Sequence, residues 1–236
     1  MAGLFNIRAL GYDRVMTRIL IVVTGHSQID AGHETGLWLE EFSVPFATFA
    51  REGFDVVTAS PRGGPVPIDP RSREGVDAGD AALRALASTV TLQEAGDAFE
   101  YAAVFLPGGH GTMFDLARNN SLKALLSEFD AQGKIVAAVC HGPAAFVDAI
   151  RAAEPRTLVA GRKITCFTDA EERSTGLDRL MPFLLASKLR AQGAEVVEGP
   201  EWSDHVEIDG TWITGQNPQS SKSVAEAVAN ALKATV

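Results

Sequence analysis

The chain has 236 residues, 46% of them hydrophobic, and a formal net charge of −9. That is enough apolar material for one sizeable core in a single α/β domain, while the acidic balance excludes a nucleic-acid binder that works by neutralising phosphates. Its two cysteines, Cys140 and Cys166, make no disulfide framework and suit a reducing, cytoplasmic compartment, and no apolar run reaches the length of a membrane span.

Residues 1–16 contain Arg8 and Arg14 but no continuous apolar core and no small-residue cleavage site. They read as an N-terminal extension, not a secretory signal, ahead of one domain over 17–236. Residues 18–24 form a near-continuous β-branched run, the pattern of a parallel strand covered on both faces. A polar loop is expected over 25–32. Apolar residues at helical spacing from 37 to 49 predict a helix, kinked or broken at Pro45, and 53–59 gives the second strand of a β-α-β unit. The stretch 60–79 holds Pro61, Pro65, Pro67 and Pro70 and reads as a long loop, of the kind that is disordered or shapes a site.

A helix over 80–87, a strand over 101–106, a helix over 121–132 and a strand over 135–139 follow. Beyond them the pattern predicts a strand at 164–167, a helix at 176–192 and a strand at 194–197. A hairpin turning at Asp209-Gly210 and a closing helix over 220–233 complete the chain. Strands alternating with helices mean a doubly wound, mostly parallel sheet with helices on both faces.

The strand at 135–139 stops at Cys140, which is followed by His141 and then Gly142-Pro143-Ala144-Ala145. Small residues crowd the bend, as they must where a strand turns sharply and lifts a reactive side chain clear of the sheet: the form of a nucleophile elbow. A helix starting at Gly142 or Pro143 is expected to point its positive end at the sulfur and favour thiolate. An unpaired cysteine is more often a small buried apolar residue; the strand-to-turn position and the adjacent histidine favour the reactive reading for Cys140. Cys166, within a strand-like run, reads as structural.

Ligands of doubly wound sheets bind beyond the carboxyl ends of the strands, which brings together the segment after the first strand, the Gly108-Gly109 turn and the elbow. The glycine turn can offer a backbone N–H to an anionic oxygen, with the His141 N–H as its partner, or serve only as a tight turn. It lacks the spacing of a phosphate loop. Apart from the Cys140-His141 dipeptide no histidine and cysteine lie close in sequence, so no metal site is expected.

The combination of Pro107-Gly108-Gly109-His110-Gly111-Thr112 with Ala138-Val139-Cys140-His141-Gly142-Pro143 resembles the ThiJ/PfpI superfamily. The segments 34–41, 49–54, 164–172 and 206–218 extend the likeness over nearly the whole chain after Met16. It is nearest to the heat-shock-type branch of glutathione-independent glyoxalases, also called glyoxalase III or D-lactate dehydratase. The resemblance implies a flavodoxin-like fold with Cys140 as nucleophile and His141 as its histidine. It puts Glu41, or its neighbour Glu40, beside the thiol, and Glu172, with Glu171 adjoining it, as third member of a Cys-His-Glu triad. Gly108, Gly109 and His110 become substrate-side residues, His110 alternatively a structural hydrogen-bonding one. It further implies a small 2-oxoaldehyde substrate such as methylglyoxal, no metal or redox cofactor, and a homodimer. Other readings of the same residues are a holdase chaperone or repair factor that binds unfolded proteins, a cysteine redox sensor, and a hydratase or amidase. Glutamine amidotransfer is disfavoured, since the only histidine after the elbow is His205.

Overall fold

The computed structural model describes residues 17–234; the expected extension at 1–16 lies outside the described residues. In chain order the elements are β1 (Arg18–Val22), a small hairpin of β2 (Gln28–Asp30) and β3 (His33–Glu34), α1 (Leu39–Arg51), β4 (Asp55–Ser60), α2 (Asp80–Ala87), β5 (Val90–Thr91) and α3 (Leu92–Ala95). Then come β6 (Ala103–Leu106), α4 (Asn120–Ala131), β7 (Ile135–Val139), β8 (Lys163–Ile164), α5 (Asp169–Thr175), α6 (Leu185–Ala191), β9 (Glu195–Val196), β10 (Val206–Asp209), β11 (Trp212–Gly215) and α7 (Ser221–Ala234). Among the described residues no helix is long and apolar enough to cross a membrane.

Seven strands pair in the order β10-β11-β7-β6-β1-β4-β5, all neighbours parallel except β10 with β11. The run β4-β1-β6-β7-β11 is the flavodoxin-like winding, in which the chain leaves β1 toward one edge and returns through β6 toward the other. That reversal opens a crevice above the carboxyl ends of β1 and β6. Side chains alternate across the sheet as the two-residue period requires. Leu20, Val22, Val104, Leu106, Val136 and Ala138 face α4 and α6 in one core. Ile19, Ile21, Ala103, Phe105, Ile135 and Ala137 face α1, α2 and α7 in the other. Continuous apolar strands are legible as parallel for this reason: both faces are covered.

The structure departs from the sequence-based expectations at identifiable places. The loop at 25–32 contains most of the β2–β3 hairpin. Pro45 does not break α1; one hydrogen bond to the Glu41 carbonyl is forgone, and the buried Leu39, Phe42 and Phe49 hold the helix on the sheet across it. The strand at 164–167 shrinks to β8, which pairs with β9 in a separate two-stranded sheet, so Cys166 follows a strand. The helix at 176–192 is only α6. An unforeseen helix, α5, is started by a capping box between Thr168 and Glu171 and stopped by Gly176 in the left-handed conformation.

Most important for the site, no α-helix follows the elbow. Residues Gly142–Phe146 make a single run of 3-10 turn, and the backbone is extended again at Val147. Gly142 is required there by close approach: a Cβ would stand 2.0 Å from the Leu106 carbonyl oxygen at the end of β6. Gly142→Ala should therefore lower stability by about 1–3 kcal/mol through overpacking, read as a fall in the urea midpoint with an unchanged slope; an unchanged midpoint would mean that the two strand ends are not in contact.

Candidate active site

Cys140 has a φ of 59°, a left-handed conformation that L-residues with side chains seldom adopt. Hydrogen bonds hold it on both sides: its N–H donates to the Gly215 carbonyl at 3.0 Å, and its carbonyl accepts from the Phe167 N–H at 2.9 Å. Strain of this kind costs on the order of 1–3 kcal/mol and persists where the surroundings over-determine it. Here β11 and the segment after β8 do so, and Sγ is turned into the crevice.

The thiol meets a carboxyl and an imidazole. Glu41, in the first turn of α1, is fully buried; its Oε2 accepts the Gly108 N–H at 2.7 Å, and Oε1 has no well-formed hydrogen bond. The Cys140 thiol lies beside this carboxyl. Burial pushes the Glu41 carboxyl up to about 8, against the downward pull of the thiol and the Gly108 N–H. Glu40, one residue earlier, is only partly buried, so the residue beside the thiol is Glu41. The Gly108 N–H, expected to be available to a substrate oxygen, is occupied by Glu41, which leaves Gly109 as the glycine lining the cavity.

Burial pushes the Cys140 thiol well above its ordinary range, and Glu41 adds to the effect when ionised. The expected bias toward thiolate is thus reversed at rest. The 3-10 turn supplies no helix dipole of useful size, and burial favours the neutral thiol. Cys166 is buried too, and burial likewise raises its thiol; no histidine accompanies it.

On its other side Sγ lies 3.3 Å from His141 Nδ1, while His141 Nε2 is 2.7 Å from Glu172 Oε2. Glu172 Oε1 is 2.8 Å from His110 Nε2. One buried carboxylate is therefore shared by two imidazoles, whose rings lie 4.2 Å apart. Burial opposes ionisation of Glu172, but the attraction of His141 and the hydrogen bonds from both histidines outweigh it and hold the carboxyl below its usual range. Burial and the proximity of His141 push His110 down to about 4, so it is neutral. The three residues have ligand atoms within 4.8 Å of one another, close enough to enclose a metal ion. Each imidazole Nε2 is already at hydrogen-bond length from its own carboxylate oxygen, the arrangement of a proton relay.

Glu171, the neighbour in sequence, is equally buried but does other work. Its Oε2 accepts from the Thr168 N–H and hydroxyl, and its Oε1 accepts from the Trp202 N–H, Gln216 Nε2 and Asn217 Nδ2. It ties the start of α5 to the segment carrying Trp202, whose φ is 58°.

A cavity of about 270 Å³ opens over these groups, walled by Trp38, Phe167, Trp202 and Pro218, with Arg71, His110 and Cys140 at its polar side. Cys140 is 2% exposed, and that small area faces this cavity. A larger hollow of about 610 Å³ between α3 and α4 contains no cysteine or histidine, so size alone does not mark the site. Arg71, Trp38, Phe167 and Trp202 were not assigned roles by sequence reasoning; the only signal for Arg71 was its place in the proline-rich loop.

Fold and constellation together define a flavodoxin-like protein with a cysteine on an elbow between a protonated carboxyl and a histidine–carboxylate relay. The chain belongs to the DJ-1/PfpI family, whose model matches residues 34–231. It is similar to the glutathione-independent glyoxalase HSP31 of Saccharomyces cerevisiae, 33% identical over 235 residues, covering 92% of this chain and 98% of that one. Glyoxalase 3 of Candida albicans is 30% identical, covering 90% and 97%. The crystal structure of glyoxalase III from Candida albicans superposes with a TM-score of 0.83 at 28% identity, covering 92% of this chain and 97% of that one.

The raised Glu41 pKa has a consequence for stability. An unfolded carboxyl loses its proton near 4.5, whereas folded Glu41 keeps it to about 8. The folded state therefore holds an extra proton between those values, and this contribution is full below 4.5 and lost as pH rises through about 8. Urea unfolding across pH 5–8.5 should show the wild type losing stability relative to Glu41→Gln; parallel profiles would mean that Glu41 is ionised throughout.

Proposed function

We propose that this protein is a glutathione-independent glyoxalase that converts methylglyoxal, or a similar small 2-oxoaldehyde, to a 2-hydroxy acid of the D-lactate type. What supports the reading most is one observation: a thiol and an imidazole backed by a carboxylate line one small cavity, and a carboxyl that keeps its proton at neutral pH is buried against the thiol. Relatives similar over nearly their full length carry this activity in their names.

The chemistry follows from where the protons sit. The resting thiol is protonated, so nucleophilicity is generated as the substrate arrives: His141 Nδ1 takes the proton while Sγ attacks the aldehyde carbon C1. The His141 imidazolium returns that proton to the new alkoxide on C1, giving a hemithioacetal. Glu41 supplies a proton to the C2 oxygen and, once ionised, removes the C1 hydrogen as a proton; the electron pair of that bond moves toward C2, forming an enediol. Glu41 returns that proton to C2 and takes up the proton of the C1 hydroxyl, which leaves a thioester at C1 and Glu41 protonated again. C1 has been oxidised and C2 reduced by the same pair of electrons, so no outside oxidant or reductant enters. Water then cleaves the thioester and restores the thiol, for a sum of one aldehyde and one water giving one hydroxy acid.

The apolar wall of Trp38, Phe167 and Trp202 serves this chemistry by limiting water during the proton transfer, when a buried carboxyl is most basic. The reading carries with it a cytoplasmic homodimer, measurable by light scattering of the purified protein. A chaperone action on unfolded proteins would be independent of Sγ and would appear as aggregation suppression unchanged in Cys140→Ala.

Cys140→Ala should remove lactate formation from methylglyoxal entirely while leaving the fold intact by circular dichroism; retained turnover would end the proposal. Glu41→Gln, which keeps the shape but can neither give nor take the migrating proton, should lower kcat by about 10²–10⁴-fold. Chiral analysis of the product should return the D enantiomer alone.

A further inference from the structure

Arg71 is the one charged side chain of the cavity wall that the proposed reaction leaves without a task. It sits on a 3-10 turn, Pro70–Ser72, that is fastened from several directions. Asp69, fully buried, accepts the Arg71 N–H at 3.0 Å and Nε–H at 2.9 Å through Oδ1, and Nη2 at 2.6 Å through Oδ2. Thr35 donates to the same Oδ2 at 3.0 Å. The turn is stapled to the start of α1, where the Leu39 N–H donates to Ser72 Oγ at 3.0 Å. A guanidinium gripped along one edge by a carboxylate has little freedom. Its Nη2 is thereby left 3.2 Å from His110 Nδ1.

That contact decides a tautomer. A guanidinium only donates and is never deprotonated in a protein, so Nδ1 of His110 must present its lone pair. The ring proton is then on Nε2, where it faces Glu172 Oε1. With the opposite tautomer, Nδ1–H would point at an N–H of Arg71, and a bare Nε2 would point at a carboxylate oxygen: two repulsions in place of two hydrogen bonds. We infer that Arg71 is a positioning residue, which fixes His110 as its Nε2–H tautomer so that Glu172 is held by two imidazole donors and its second oxygen stays aimed at His141. The chain of contacts runs Asp69, Arg71, His110, Glu172, His141, Cys140, from a loop to the reacting sulfur. The groups facing His110 are Arg71 from the loop, Glu172 from α5 and His141 from the elbow; the attraction of Glu172 favours the proton on Nε2, and Arg71 makes Nδ1 the poorer site. The catalytic consequence rests on the glyoxalase reading, whereas the tautomer does not.

The test separates the two. In full-length protein labelled with ¹⁵N-histidine, the His110 ring, identified as the resonance lost in His110→Gln, should show a bare Nδ1 and a protonated Nε2 at neutral pH. In Arg71→Met the pattern should move toward a mixture of tautomers, and in Arg71→Lys, which keeps a donor, it should be restored. With methylglyoxal, Arg71→Met should lower kcat by about 10–100-fold, as for residues that act by orienting a functional group, with KM within about twofold of wild type and partial recovery in Arg71→Lys. A protonated Nδ1 in the wild type, which needs no variant to fold, would overturn the inference, as would an unchanged ring pattern in Arg71→Met. A rise in KM with kcat unchanged would overturn it as well, making Arg71 a substrate contact. If the wild type turned over no oxoaldehyde, the glyoxalase reading would fail and the ring pattern would still decide the role of Arg71.

Discussion

The site depends on a backbone constraint. Cys140 is bent into the left-handed region at the end of a parallel strand and fixed by hydrogen bonds to β11 and to the segment after β8. Without that bend the side chain would continue the alternation of β7 and be lost in one core or the other. With it, Sγ enters the crevice made by the reversal of strand order, where α1 and α5 begin and the glycine turn after β6 lies. The sheet contributes no reactive atom; it sets the point at which four distant segments meet.

What meets there are two buried carboxyl groups in opposite states of protonation. Glu41 has one N–H donor and, among the described residues, no cationic partner near it, and burial keeps it neutral to about pH 8. Glu172 is also deep but accepts from two imidazoles and is held ionised. Pushing two like groups apart in this way is how one fold supplies both an acid and an anchor for a base at the same pH. The thiol between them carries its proton until a substrate makes it worthwhile to release it, which protects the cysteine from chance alkylation and oxidation in the resting protein.

Much of this was legible from local patterns. The β-branched strands, the turn at Asp209-Gly210 and the elbow are short-range signals whose physics is contained in a few neighbouring residues, and Cys140, His141, Glu41 and Glu172 were singled out on them and on the family likeness. The charge on sulfur was not legible, because an elbow pattern says where a side chain points and nothing about how much water reaches it. The preference for Glu172 over Glu171 came from the family likeness and not from the local pattern: successive helical residues point about 100° apart, and both directions lead into the interior. The start of α5 was missed: its one local signal is the capping box Thr168-x-x-Glu171, with no apolar periodicity behind it. Arg71 was hidden because its partners, His110 above all, are brought to it by tertiary structure across 39 positions of sequence.

The two neighbouring acids of α5 have one further consequence. Glu171 grips the segment that sets Trp202 at the mouth of the cavity, and Glu172 grips the pair of imidazoles at its floor. Two walls of the same chamber are thus mounted on a single rigid strut of seven residues. A tilt of that strut would shift the doorway and the proton wire in one movement, so access and reactivity in this protein are joined through the position of α5.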